Sequence, residues 1–159
     1  MTTSSVLARD IMISGRSVIT ITPDQDVFEV INLLVRNKIS GAPVVDKSGK
    51  YLGIFSERSC ISLMLDAAQR GTPTNRIEPF IDTEAITITP DTDLWTIAQI
   101  LMNTAYRRLP VIKQGKVIGL VSRRDVLKAA NKLLDPQKPH ESGILYVSAI
   151  REKSEAPVA

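Results

Sequence analysis

The chain has one cysteine, Cys60, and one histidine, His140. A single thiol excludes an internal disulfide and fits a reducing compartment, so the expected location is cytoplasmic. The same scarcity excludes paired Cys/His metal spacing, and it leaves no Ser/Cys–His combination outside a loop tail. Walker-type phosphate chemistry is absent as well, because Ser48-Gly49-Lys50 is only a hairpin turn. Met1 to Leu7 lacks the charged start and apolar run of a signal peptide, and no apolar stretch approaches a membrane span, so no membrane partner is expected. With 20 Lys+Arg against 17 Asp+Glu the net charge is +3, and there is no long block of either cation. That balance argues against a dedicated nucleic-acid surface, although a pI of about 9.1 leaves weak anion binding open. An enzyme is therefore not expected. What remains, with 159 residues, 43% hydrophobic and 23% charged, is a soluble globular protein with one good core or two small halves packed on each other.

The halves are written twice. Ile19-Thr20-Ile21-Thr22-Pro23-Asp24 returns letter for letter as Ile86-Thr87-Ile88-Thr89-Pro90-Asp91, 67 positions on (19 to 86). The same offset carries Asp26 to Asp93, Leu34 to Leu101 and Pro43-Val44 to Pro110-Val111. After a turn one residue shorter it becomes 66 (53 to 119), taking Gly53 to Gly119, Ser56 to Ser122 and Arg58 to Arg124. This is an internal duplication.

Each copy reads as strand, helix, strand, hairpin turn, strand, helix. In the first, Val18–Ile21 is an expected strand, and Thr22-Pro23 is an expected helix start, with Val27, Val30, Ile31, Leu34 and Val35 on one buried face. Pro43-Val44-Val45 and Tyr51–Phe55 flank the turn Asp46–Gly49, and a helix from Ser56 to near Ala68 carries Ile61, Leu63, Met64 and Leu65. Cys60 on that helix reads as a buried small hydrophobe. The second copy keeps the stripe Leu94, Ile97, Ala98 and Leu101, with Trp95 replacing Phe28 as a core or interface residue. Its last helix is expected from Arg123 to about Leu134. Val6 to Met12 suits one or two helical turns. The organisation is therefore residues 1–68 for the first motif with its N-terminal segment, 69–75 for a linker, 76–134 for the second motif and 135–159 for a tail. In that tail, Ile144–Val147 suits an edge strand or a subunit contact, and His140 suits solvent rather than catalysis.

The run from Lys116 to Leu127, in which a strand breaks into Ser122-Arg123-Arg124-Asp125 and then becomes a helix, has the chemistry of a nucleotide-binding corner. A helix start offers unpaired N–H groups and the positive end of its dipole to an anion. Ser122 adds a hydroxyl, Arg123 or Arg124 adds charge, and Asp125 can accept bonds from sugar hydroxyls. Ser-x-x-Asp is equally a capping box with no ligand. Its recurrence in the copy, at Ser56-Glu57-Arg58-Ser59, favours a site. Arg107, Arg108, Arg123 and Arg124 are either a phosphate-attracting patch or solvated side chains.

Ile-Thr-Pro-Asp before the first helix, Ile39-Ser40-Gly41-Ala42-Pro43-Val44-Val45 and Tyr106-Arg107-Arg108-Leu109-Pro110-Val111-Ile112 before the second strand, and Gly-x-x-Ser-x-x-Asp at the last helix together resemble the CBS domain, the motif first noted in cystathionine β-synthase. From about Leu7 to Leu134 the chain resembles a tandem pair. The resemblance implies an α+β fold of two β-α-β-β-α motifs, packed through their sheets with pseudo-twofold symmetry and leaving two clefts. It also implies an adenosyl ligand, AMP, ADP, ATP or NAD, with or without Mg and with no catalytic cofactor, whose binding senses energy state. Residue by residue it places phosphate at Ser122 and Arg124, ribose at Asp125, and adenine against Ile39, Ser40, Gly41 and Ala42, with Ser17, Val18 and Ile19 lining the same cleft. A weaker or empty second site is expected at Ser56, Arg58 and Ser59 facing Tyr106, Arg107 and Arg108. There Ser59 stands where the other copy has Asp125, and Glu57 replaces Arg123. The expected function is a stand-alone regulatory module that binds an adenine nucleotide, forms a homodimer through the helices after Ser56 and Ser122, and acts on an unidentified target protein. A ligand-free assembly module and a binder of S-adenosylmethionine are the alternatives.

Overall fold

A computed structural model of the chain describes residues 5–71 and 75–135. Helix α1 (Ala8–Ile11) and strand β1 (Ile13–Ser14) come first. Helix α2 (Val27–Asn37), the hairpin β2 (Gly41–Val45) and β3 (Tyr51–Ser56), and helix α3 (Glu57–Arg70) form the first half. Helix α4 (Leu94–Asn103), the hairpin β4 (Arg108–Lys113) and β5 (Lys116–Ser122), and helix α5 (Arg123–Leu133) repeat it. The fold is α+β, as the resemblance implies.

Both first helices begin later than Thr22-Pro23 suggests. Residues 22–25 close instead as a turn, with Gln25 N donating to Thr22 O at 3.2 Å and Thr22 N to Gln25 Oε1 at 2.9 Å. The cap is Asp26, whose Oδ1 accepts from Phe28 N (2.8 Å) and Glu29 N (3.3 Å), and Asp93 repeats this on Trp95 N and Thr96 N. Starting there turns Val27, Val30 and Leu34 inward, and Leu94, Ile97 and Leu101 in the copy. Val35 does not join that face and is 72% exposed, one residue round the helix from Leu34. Of the apolar residues expected on α3 only Leu63 is buried, while Ile61, Met64 and Leu65 face outward; Cys60 is half-buried. Helix α3 runs two residues past Ala68 and stops at Gly71, whose φ of 75° supplies the left-handed cap.

The expected strand at Val18–Ile21 shrinks to one parallel bridge between Ile21 and Val44, and its copy to Ile88 and Val111. Proline is the reason. Ile21 N donates to Pro43 O and Val45 N donates to Ile21 O, but the next rung back would need an N–H from Pro43 and the next rung forward one from Pro23. Neither exists, and Pro110 and Pro90 impose the same limit on the second half.

Strands β2 and β3 pair antiparallel, and β5 lies between β1 and β4 in a second sheet. The sheets meet at their hairpin ends, where Lys50 bridges Lys116 and Tyr51 N donates to Gly115 O at 2.8 Å. The lead-in segments are exchanged. Ala8 N donates to Thr92 O and Ile13 pairs with Leu120, so the N-terminal segment serves the second half. Ile77 N donates to Gln25 O and Asp82 pairs with Ile54, so the segment after the linker serves the first. These contacts match at an offset of 69 (8 to 77, 13 to 82). Ala8 is fully buried in the second core and Ile77 in the first, so each core is completed by the other half's lead-in. Close approach makes Gly53 and Gly119 obligatory: a Cβ on Gly53 would lie 2.5 Å from Asp82 O, and one on Gly119 would lie 2.7 Å from Ile13 O. Exposed Trp95 (58%) is not a core residue. Ile144–Val147 and His140 lie outside the described residues.

Candidate functional site

A cavity of about 730 Å³ opens between the halves, within the size range of small-molecule sites. The first half contributes Ser40–Pro43 at the start of β2, Ile54, and the opening of α3 from Ser56 to Ser62. The second half contributes Pro79–Asp82, Ala105–Arg108 and Leu120. Neither half makes it alone.

The backbone approaches it closely. Gly41 pairs with Ser56, and a Cβ there would sit 3.0 Å from Phe55 O, so position 41 is held without a side chain. Glu57 N donates to Ser40 O at 2.9 Å, which fixes the start of α3 against the start of β2. Arg58, Arg107 and Arg108 supply positive charge, and their forks suit phosphate oxygens. Ser56 and Ser59 form a reciprocal cap: Ser56 N donates to Ser59 Oγ (3.2 Å) and Ser59 N to Ser56 Oγ (3.4 Å). Both hydroxyls are therefore already engaged as acceptors.

The opposite wall holds a cluster of titratable groups. Tyr106 donates its hydroxyl to Asp82 Oδ2 at 2.9 Å, and Glu84 N donates to Asp82 Oδ1 at 3.1 Å. Burial raises the Tyr106 hydroxyl above its usual range, and the bond to the Asp82 carboxylate adds to this. The Tyr51 hydroxyl is buried with no hydrogen-bond partner among the described residues. Burial pushes Tyr51 up to about 12, and the Asp82 charge and Tyr106 reinforce the shift.

At the Ser122 corner, Asp125 Oδ2 accepts from Ser122 N (2.8 Å) and Ser122 Oγ (2.7 Å), and Asp125 N donates to Ser122 Oγ (3.2 Å). This is the capping box, with Asp125 half-buried and Oδ1 directed to no described hydrogen-bond partner. Arg123 Nη2 donates to Leu101 O (3.2 Å) and Thr104 O (3.3 Å), closing the end of α4. Arg124 is exposed.

The structure regroups the expected residues. Ser40, Gly41 and Ala42 line the cavity with Ser56, Arg58 and Ser59 of their own half, whereas the resemblance sets them opposite Ser122 and Asp125. The reason is the ladder: Gly41 is opposite Ser56, and it is Arg108 that lies opposite Ser122. Tyr106, Arg107 and Arg108 face the Ser56 corner, as expected. Ser17, in an exposed 3-10 turn, with Val18, Ile19 and Ile39, does not line this cavity. Sequence reasoning missed Asp82 and the Pro79–Ile81 wall. Their signal was the second offset of 69, which sets a carboxylate at Asp82 against an aliphatic side chain at Ile13. Among the described residues no three His, Cys, Asp or Glu are grouped to hold a metal ion, and no helix is long and apolar enough to cross a membrane.

Two packed copies of one half, with a cleft between them that needs both, define a tandem-repeat module. A family model for the CBS domain matches residues 8–66 and 77–132, so the chain belongs to the CBS-domain family as a tandem pair. Among solved structures, CBSX2 of Arabidopsis thaliana in complex with AMP aligns with a TM-score of 0.71 at 27% identity, covering 79% of this chain and 96% of that one. Protein MJ1426 of Methanocaldococcus jannaschii is 30% identical over 155 residues, covering 78% of this chain and 90% of its own length. MJ1225 of the same organism is 28% identical over 120 residues, 76% of this chain, which spans only 41% of MJ1225.

Proposed function

We propose that the chain is a non-enzymatic regulatory module that binds an adenosyl nucleotide, AMP, ADP, ATP or NAD, between its two halves and signals energy state to a partner protein. The cavity carries this reading: it takes three arginines and the small-residue strand edge Ser40-Gly41-Ala42 from two different halves, so a ligand there bears on how the halves sit together. CBSX2, whose crystal structure holds AMP, supports the ligand class. Phosphate sits on Arg58, Arg107 and Arg108, and adenine lies along Ser40–Ala42. A second position uses Ser122, Arg124 and Asp125, whose free carboxylate oxygen suits a ribose hydroxyl.

The proposed assembly is a homodimer. Exposed apolar residues recur at the repeat offsets, Phe28 with Trp95, Val35 with Met102 and Ile61 with Leu127, and such a self-matching surface suits a second copy related by twofold symmetry. The proposed location is cytoplasmic.

Titration calorimetry and melting with AMP, ATP, NAD and S-adenosylmethionine test the function, since a ligand that prefers the folded chain raises its stability. Saturable binding of an adenine nucleotide is expected, with about tenfold or more loss at one class of site in Asp125→Ala. Binding of S-adenosylmethionine alone would change the ligand. No binding and no shift with any of the four would leave a ligand-free assembly module.

A further inference from the structure

The corner at the start of α3 lacks the carboxylate that Asp125 gives the other corner, because Ser59 stands in its place and its hydroxyl is held by Ser56 N. The cavity at that corner nevertheless contains a carboxylate from another element. Asp82 lies in the exchanged lead-in segment and is held at both backbone atoms: its N donates to Ile54 O (2.8 Å), and its O accepts from Ile54 N (3.0 Å). Each side-chain oxygen already accepts one bond, from Tyr106 and from Glu84 N, and keeps a lone pair for a second. The duplicated positions have neither member of this pair: Ile13 stands for Asp82 at the offset of 69, and Ile39 stands for Tyr106 at the offset of 67. The pair therefore belongs to this cavity alone.

We infer that Asp82, positioned by Tyr106, accepts the ribose 2′,3′-diol of a nucleoside phosphate in this cavity and so replaces the carboxylate missing at Ser59. The inference rests on the nucleotide reading proposed above. Two oxygens of one carboxylate match two adjacent hydroxyls, and Arg58, Arg107 and Arg108 in the same cavity hold the phosphate. A carboxylate facing three arginines would otherwise weaken an anion site, so a ligand with both donor hydroxyls and an anionic end is the chemistry that uses both. The two ligand positions then each have one diol-binding carboxylate, at unrelated places in the repeat.

The test uses the Asp125→Ala chain, in which only this cavity remains competent, titrated with AMP and with 2′,3′-dideoxy-AMP. Adding Asp82→Asn is expected to weaken AMP by about tenfold or more while changing 2′,3′-dideoxy-AMP, which has neither hydroxyl, by less than about threefold. Adding Tyr106→Phe is expected to weaken AMP by a few-fold, and the ligand-free melting temperatures show whether each variant is folded. Equal AMP affinity with and without Asp82→Asn would overturn the inference. So would an equal loss for both nucleotides, which is the mark of a merely structural role. If wild type binds AMP but Asp125→Ala does not, this cavity takes no nucleotide and the inference falls, while nucleotide binding at the second position proposed above, Ser122, Arg124 and Asp125, remains. If wild type binds none of the adenosyl ligands, the function itself has failed.

Discussion

The corners at the starts of α3 and α5 descend from one pattern and have been finished differently. Helix α2, which leads to the first corner, ends on Lys38 in a left-handed conformation with φ of 52°, and the Lys38 N–H itself reaches Leu34 O and Val35 O. Helix α4 ends on extended Thr104 without that turn, and the guanidinium of Arg123 reaches back to the Leu101 and Thr104 carbonyls instead. The matching residue at the first corner is Glu57, whose carboxylate has no N–H to donate to a carbonyl. Arg123 and Glu57 thus stand at matching positions after helices that are closed in different ways. Likewise, Asp125 caps α5 with its carboxylate while Ser59 caps α3 with a hydroxyl. A duplicated fold keeps its backbone bonds and lets the side chains that satisfy them diverge.

The largest effects should come from the glycines that admit the exchanged segments. Gly53→Ala and Gly119→Ala should each cost about 1–3 kcal/mol in denaturant unfolding, since Asp82 O and Ile13 O lie 2.5 and 2.7 Å from the added carbon. Only Gly53→Ala should also weaken AMP in the cavity, because it displaces Asp82. Equal binding in the two variants would show that the corners do not depend on their own lead-in segments.

A smaller difference should separate the helix closures. Arg123→Ala should destabilise by about 1 kcal/mol, whereas Lys38→Gly should be neutral or stabilising by up to about 1 kcal/mol, since glycine takes the left-handed conformation freely. Destabilisation by both would mean that Lys38 contributes through its side chain.

The smallest change is expected from Tyr51→Phe at neutral pH, because the hydroxyl it removes is buried without a partner among the described residues. The alkaline limb should differ. Tyr51 titrates near 10.0 unfolded and about 12 folded, so the unfolded chain loses its proton first and stability falls as pH rises through that window. Melting temperatures measured from pH 9 to about pH 12 should show a shallower decline in the variant, and identical curves would place that hydroxyl in water.

Much of the fold was legible because repetition is a sequence property: the offsets of 67 and 66 placed four helices and two hairpins, and the Pro43 and Pro110 matches marked the first paired strands, which begin two residues earlier, at Gly41 and Arg108. Helix starts were misplaced at Thr22 because Pro23 and an acidic first turn imitate a cap. The better cap, Asp26, is distinguished only by which residues must then turn inward. The candidate site was legible at Ser56, Arg58, Ser59 and Tyr106–Arg108. Asp82 was not, since nothing local marks a carboxylate that reaches the cavity only when its segment docks across the repeat.

Taken alone, the sequence determined the duplication, the α+β alternation and the absence of disulfide chemistry, because these depend on periodicity and composition within short windows. Tertiary structure decided which half completes which core, which lead-in reaches which corner and therefore which carboxylate meets the arginines. Those outcomes depend on backbone hydrogen bonds between residues far apart in the chain, such as Ile54 with Asp82, and no local preference encodes a partner at that distance.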